Sequence, residues 1–340
     1  MLYEDVELHN IEQVTPAVDG GVWLQRLPDD VRLQLNEGAR GQALSPGCAE
    51  VRFVADASQA TITLASEEAS RVSVFHGRFG TGTVHSVGPE PVTIDLTRCE
   101  NIDLADRRHF AHMPFDPMVF RVMLGGGRVR LLSVDGQNVR PPSPEQLPDI
   151  RLLTYGTSIT HEYSATAPHL CYSAQAAWAL GADLINLGLA GSCQAENEMA
   201  DYIAQRRDWT IASLALSVNM RGFDPDEYAR RLEYMVDRVA GADTARPVAC
   251  VTLWPYFDDL GSPWADDQNV IGSARMRQIL RDAVAQAGHP NLHLFEGPEI
   301  LTDFGGLTDD LIHPADNAMI DMGRGLAERL RPLCRPGDPT

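Results

Sequence analysis

Apolar and polar positions follow two different rhythms along this chain. Up to about residue 140 they alternate in short runs: Val31 to Leu35, Val51 to Val54, Ala60 to Leu64, Val72 to Phe75 and Val92 to Leu96. Such alternation predicts half-buried strands, and Gly, Pro, Asn or Asp often falls between the runs. Met118 to Leu124, then Gly125-Gly126-Gly127, then Arg128 to Val134, predicts a hairpin with a glycine turn. No long helical period occurs here. Many short strands at close spacing predict a β-sandwich of the jelly-roll kind over residues 1–140. Gln137 to Pro148 holds Pro141, Pro142, Pro144 and Pro148, which predicts a semi-rigid linker centred on 141–148.

From residue 149 to 334 the rhythm changes. Apolar runs at Ile150 to Tyr155, Leu184 to Leu189, Ile211 to Val218, Val248 to Leu253 and Leu292 to Phe295 read as buried strands. Between and after them lie amphipathic stretches near His169 to Leu180, Ala195 to Gln205, Pro225 to Val239, Val270 to Ala287 and Asn317 to Leu330. Five β–α pairs predict an α/β domain with a parallel sheet covered on both faces. Ligands in such folds bind outside the carboxyl ends of the strands, so chemistry is sought just after each strand.

Composition narrows the chemistry. The 340 residues contain no lysine, so all 28 basic residues are arginine. That excludes Schiff-base mechanisms, the Walker-A lysine of P-loop NTPases and kinases of the usual kind. A net charge of −19 argues against nucleic acid as a partner and against anionic membranes. No apolar run reaches the ~18 residues of a membrane span. The start, MLYEDVELHN, is acidic where a signal peptide needs a basic region, so a cytoplasmic location is expected. Six scattered cysteines without a CxxC pair fit free thiols in a reducing compartment.

Four segments at the strand ends carry candidate chemistry: Tyr155-Gly156-Thr157-Ser158, Asn186 to Ser192, Ser217-Val218-Asn219-Met220 and Asp310-Leu311-Ile312-His313. Singly, each has an ordinary reading. Thr157 and Ser158 can cap a helix, Gly191 can be a turn, Asn219 a satisfied loop amide and His313 a surface histidine. Together their roles interlock. A serine hydroxyl needs a base to take its proton, which His313 can do. Asp310 on the same loop can hold the imidazole tautomer; the neighbouring Asp309 competes, and the spacing favours Asp310. The backbone N–H groups of Ser158 and Gly191 and the Asn219 amide can serve as an oxyanion hole.

In this order the four segments resemble the blocks of the SGNH hydrolases, also called the GDSL esterase/lipase family, over about residues 149 to 331. The resemblance implies a flavodoxin-like three-layer domain. It implies Ser158, Asp310 and His313 as the catalytic triad, with Ser158, Gly191 and Asn219 as oxyanion donors. The first block reads Gly156-Thr157-Ser158 rather than GDS, and the third lacks both the glycine and the aspartate of GxND. A sandwich ahead of such a domain resembles the two-domain carbohydrate acetylesterases. The implied activity is hydrolysis of short acyl esters, acetyl above all, of carbohydrates or similar polar alcohols through an acyl-enzyme on Ser158. No cofactor or metal is required. His161 and Glu162 after the nucleophile, and Trp254 and Tyr256 with Trp264 after the fourth strand, are candidates for the substrate crevice.

Other readings stand beside this one. A lipid ester or thioester hydrolase keeps the fold and changes the substrate. An FMN-binding flavodoxin-like protein uses the Thr/Ser loop for a phosphate but gives the DxxH loop no role. A non-catalytic carbohydrate-binding protein leaves Ser158, Asp310 and His313 unexplained. His109 and His112, with Asp103, Asp106 and Asp116 nearby, are a weak candidate for a metal site. The oligomeric state is not legible.

Overall fold

The computed structural model describes residues 1–261 and 269–334. The N-terminal region forms two antiparallel sheets. One runs in the order β1 (Leu2–Tyr3), β2 (Val6–His9), β5 (Glu50–Phe53), β10 (Phe120–Leu124), β7 (Ser70–His76), β8 (Phe79–Val87). The other runs β3 (Gln13–Pro16), β4 (Val22–Gln25), β11 (Val129–Gly136), β6 (Gln59–Ser66), β9 (Val92–Thr97). Val51, Phe53 and Val122 from the first sheet share a core with Ile62, Leu64 and Leu131 from the second. Alternating residues of the two layers thus bury a common face, as a sandwich requires.

Two local expectations are corrected. The glycine turn at 125–127 does not close a hairpin. β10 pairs with β5 and β7, whereas β11 pairs with β4 and β6 in the other sheet. Apolar residues of both strands face one core from opposite layers, so the turn carries the chain across the sandwich. The run Val31 to Leu35 is not a strand. A short helix occupies Asp29–Arg32, with Asp29 and Asp30 in its first turn, where acidic side chains suit the helix dipole.

The second region is a five-stranded parallel sheet in the order β13 (Asp183–Asn186), β12 (Arg151–Gly156), β14 (Ile211–Ala215), β15 (Val248–Val251), β16 (Leu292–Phe295). Helices Tyr172–Leu180 and Asp316–Leu330 pack together in the core on one face. Helices Asn197–Gln205, Pro225–Gly241 and Ser273–Ala287 cover the other. This is the doubly wound, flavodoxin-like arrangement, and β12 sits at the point where strand order reverses, the usual place for a ligand crevice. Among the described residues no helix is long and apolar enough to cross a membrane.

The two regions interlock at β13, the edge strand of the parallel sheet. Arg52 donates through Nη1 and Nη2 to the Asp183 carboxylate, at 2.7 and 2.6 Å. The His9 ring bonds to the carbonyl of Leu184 at 2.6 Å, and Asn10 donates to that of Asn186 at 2.9 Å. An open strand edge is thereby covered by the sandwich. The proline-rich stretch is pinned: Val54 and Arg140 exchange backbone hydrogen bonds, and Asp116 N–H donates to the Gln146 carbonyl.

Candidate active site

β12 ends at Gly156, a position with no room for a side chain. A Cβ there would lie 2.3 Å from Thr160 Oγ1 and 3.0 Å from the Ala215 carbonyl. The chain therefore turns tightly at the strand end. His161 N–H donates to the Thr157 carbonyl and Tyr163 N–H to that of Ser158. Glu162 and Ser164 take positive φ values of 79° and 71°, a costly conformation for side-chain-bearing residues.

Ser158 sits on this turn, 7% exposed. Its Oγ lies 2.8 Å from His313 Nε2, and His313 Nδ1 lies 2.6 Å from Asp310 Oδ2. The DxxH loop explains how one short segment supplies both groups. A backbone bridge between Leu307 and Pro314 closes it, and Leu311 takes φ 55° to complete the bend. Asp310 Oδ1 accepts from the backbone N–H groups of Ile312 and His313 and from Thr308 Oγ1. Partial burial pushes the Asp310 carboxyl up, but hydrogen bonds from the His313 side chain, the His313 and Ile312 backbone and Thr308 outweigh it. They hold the group well below the usual carboxylate range. Asp310 therefore stays ionised, and with Nδ1–H donating to it, Nε2 is the acceptor that faces Ser158. Asp309 is exposed, and the contact to the imidazole is made by Asp310.

The loop after β13 runs over the nucleophile turn. Leu189 N–H donates to the Gly156 carbonyl. Gly191 is exposed with φ 66° and open space where a Cβ would stand. Cys193 N–H donates to Asn219 Oδ1 at 3.1 Å, which links the Gly191 loop to the turn after β14 and leaves the Asn219 NH2 as its donor end.

The four candidates for the substrate crevice among the described residues are placed otherwise than expected. Trp254 is 2% exposed and packs edge-on against Tyr172. Tyr256 is also 2% exposed, against Phe257. Both fill the core, where large rings bury the most area. His161 is buried beneath the loop: Ala190 N–H donates to its Nδ1 at 3.3 Å, and its Nε2 lies 3.2 Å from Ser45 Oγ. Burial and the nearby Arg26 push its pKa far below the ordinary histidine value. The Glu162 carboxylate turns toward the N-terminal region, with Oε2 3.9 Å from Cys48 Sγ. Burial, then Cys171, push it well above the usual carboxylate range. Trp264 lies outside the described residues. Among the described residues, Tyr163 is the aromatic that flanks the dyad, 56% exposed, with its ring centroid 4.5 Å from that of His313.

The acids near His109 and His112 are held by arginines: Asp103 by Arg98, Asp106 by Arg108 and Asp116 by Arg107. Among the described residues no group of three or more His, Cys, Asp or Glu is placed to hold a metal ion.

A β-sandwich followed by a flavodoxin-like parallel sheet, with Ser158, His313 and Asp310 in contact at the carboxyl end of β12, is the arrangement expected of an SGNH-type ester hydrolase. The model of the GDSL-like lipase/acylhydrolase family matches residues 150–330, and the chain belongs to that family. No curated protein matches the chain. Among solved structures, a salicylyl-acyltransferase, SsfX3, from a tetracycline biosynthetic pathway is similar over 97% of this chain and 95% of its own, at 14% identity and a TM-score of 0.78. A family two carbohydrate esterase from Clostridium thermocellum, in complex with cellohexaose, is similar over 84% and 91%, at 15% identity and TM-score 0.58. Another from Cellvibrio japonicus covers 97% and 96%, at 12% identity and TM-score 0.59. At these identities the likeness is one of fold.

Proposed function

We propose that the protein is a serine esterase that removes short acyl groups, acetyl above all, from carbohydrates or similar polar alcohols. The observation that carries the reading is the aligned relay of Ser158 Oγ, the His313 imidazole and the Asp310 carboxylate at the carboxyl end of β12. In the first step His313 takes the Ser158 proton as Oγ attacks the ester carbonyl. The tetrahedral oxyanion is met by the N–H groups of Ser158 and Gly191 and the Asn219 amide. His313 then protonates the departing alcohol oxygen. In the second step it takes a proton from water, which attacks the acyl carbonyl, and it returns that proton to Ser158 Oγ as the acid leaves. Serine, histidine, aspartate and amide donors suffice for this chemistry, so the absence of lysine is no obstacle.

The substrate class rests on two supports. A net charge of −19 suits a neutral polar substrate better than an anionic lipid surface. The carbohydrate esterases named above are similar in fold over 84% and 97% of this chain, one of them with cellohexaose bound. Ser158→Ala is expected to lower kcat on p-nitrophenyl acetate by about four to six orders of magnitude. Activity kept within tenfold contradicts the assignment. A panel of acetylated sugars and p-nitrophenyl esters of increasing chain length separates the substrates. A long-chain optimum excludes the acetylesterase and favours a lipid ester hydrolase.

A further inference from the structure

The sandwich reaches into the second region with one side chain at a consequential place. Arg26, just past β4, is almost wholly buried at 1% exposure. Its donors go to four carbonyls. Nε donates to Ser45 at 2.5 Å and Nη1 to Asn186 at 2.9 Å. Nη2 donates to Gln42 at 3.0 Å and to Gly188 at 2.9 Å. Two of these acceptors belong to the sandwich side, and two to the end of β13 and the loop that leads to Gly191. Nη2 also lies 3.0 Å from His161 Nε2. Arginine only donates, so this contact and the Ala190 N–H compete for the one bare nitrogen of the neutral ring. With Nδ1 bare, the ring accepts from Ala190 N–H and Nε2–H donates to Ser45 Oγ.

We propose that Arg26 and His161 are positioning residues for the oxyanion loop. Arg26 holds the carbonyls of Asn186 and Gly188, and His161 holds the N–H of Ala190, the residue before Gly191. The loop is fixed on both sides of its bend by one guanidinium from the sandwich and one imidazole from the nucleophile turn. His161 thus couples the turn bearing Ser158 to the loop bearing Gly191. Packing supports the same fit. A Cβ on Gly188 would lie 2.4 Å from His161 N, and one on Gly47 2.7 Å from His161 Cδ2, so turn, loop and sandwich close on the ring from three sides. The sandwich is then part of the catalytic apparatus through Arg26, although neither positioning residue touches substrate. The proposal rests on the reading of Ser158 as nucleophile and Gly191 as oxyanion donor.

Two amide replacements test it, because each mimics a different ring nitrogen. His161→Asn keeps an acceptor near the position of Nδ1, and His161→Gln keeps a polar group near that of Nε2. With both folded at 25 °C, the glutamine variant is expected to lose about ten- to a hundredfold in kcat, the cost of a misplaced donor, with KM within about twofold. The asparagine variant is expected to stay within about threefold of the parent. A purely structural role reverses the order, since glutamine is closer to histidine in size, or moves KM and thermal stability without separating the two in kcat. Either result overturns the proposal. Nitrogen-15 spectra of the unaltered protein provide a check that needs no variant to fold. A bare Nδ1 and a protonated Nε2 on His161 are expected, and the opposite tautomer overturns the proposal. Ser158→Ala on the same substrate separates the two levels. If that variant remains active, the reading of the site fails. If it is inactive while His161→Gln keeps its kcat, only the positioning role fails.

Discussion

At the scale of single residues, function turns on which polar groups the local backbone can aim. Asp310 and His313 are three apart, and the loop between them satisfies the carboxylate from its own N–H groups. Their contact is therefore legible in the three-residue spacing. Ser158 was legible for a similar reason, since it directly follows a buried strand. The neighbours were not. His161 and Glu162 follow Ser158 in the chain, but the direction of the turn is set by Arg26, Ser45 and Cys48, more than a hundred residues away. Nothing local announces that, and Tyr163, one residue further on, was overlooked for the same reason. Asp310→Asn is expected to lower kcat by about a hundred- to ten-thousandfold, because the imidazole loses the partner that fixes its tautomer. Steady-state kinetics on p-nitrophenyl acetate check this, and a loss under tenfold contradicts the role.

At the scale of elements, periodicity located all five parallel strands and their main helices, because a strand buried on both faces leaves an unbroken apolar run. It located most sandwich strands too, but not which of them pair. The turn at Gly125 to Gly127 has the composition of a hairpin and yet joins two sheets. Alternation reports which face is buried, and both layers of a sandwich bury the same kind of face. The crevice aromatics failed differently. Trp254 and Tyr256 do follow β15, as expected, and then fold back into the core. One glycine tests how tightly the oxyanion loop is seated. A Cβ at Gly188 would collide with backbone atoms of His161 and Thr160. Gly188→Ala is expected to reduce both stability and kcat, since a small displacement of a donor loop can cost about a hundredfold. Denaturant unfolding and kinetics check it together; a variant with unchanged values in both contradicts the seating described.

At the scale of the whole molecule, the sandwich and the parallel sheet are joined by a buried ionic network. Glu50 accepts from Arg52 and Arg121, and Arg52 reaches on to Asp183. Burial pushes Glu50 up, but Arg121 and Arg52 prevail and hold it at about 2. Removing one partner strands the others, so Arg52→Met is expected to cost about 3–5 kcal/mol by denaturant unfolding. A cost below about 1 kcal/mol contradicts the network's role. None of this is legible in the sequence, because the partners come from β5, β10 and β13.

The buried histidines add a pH dependence. Burial is the main cause that lowers His9, His161 and His76, the last to about 4. A folded-state pKa below the unfolded one means that the unfolded chain binds protons more readily. The stability these groups contribute is present above the unfolded value of about 6.5 and is lost as pH falls from there toward each folded-state value. The melting temperature is expected to fall between pH 7 and pH 5, before carboxylates protonate. A flat profile over that range contradicts the neutral, buried placement of these rings.

The central claim is that Ser158 becomes acylated, and intact-protein and peptide mass spectrometry after rapid quenching measures it most directly. The account predicts that p-nitrophenyl acetate leaves a single acetyl group on the peptide carrying Ser158. That adduct disappears on further incubation and never forms in Ser158→Ala. An acetyl group found on another residue, or turnover by the parent protein with no covalent intermediate and undiminished in the variant, contradicts it.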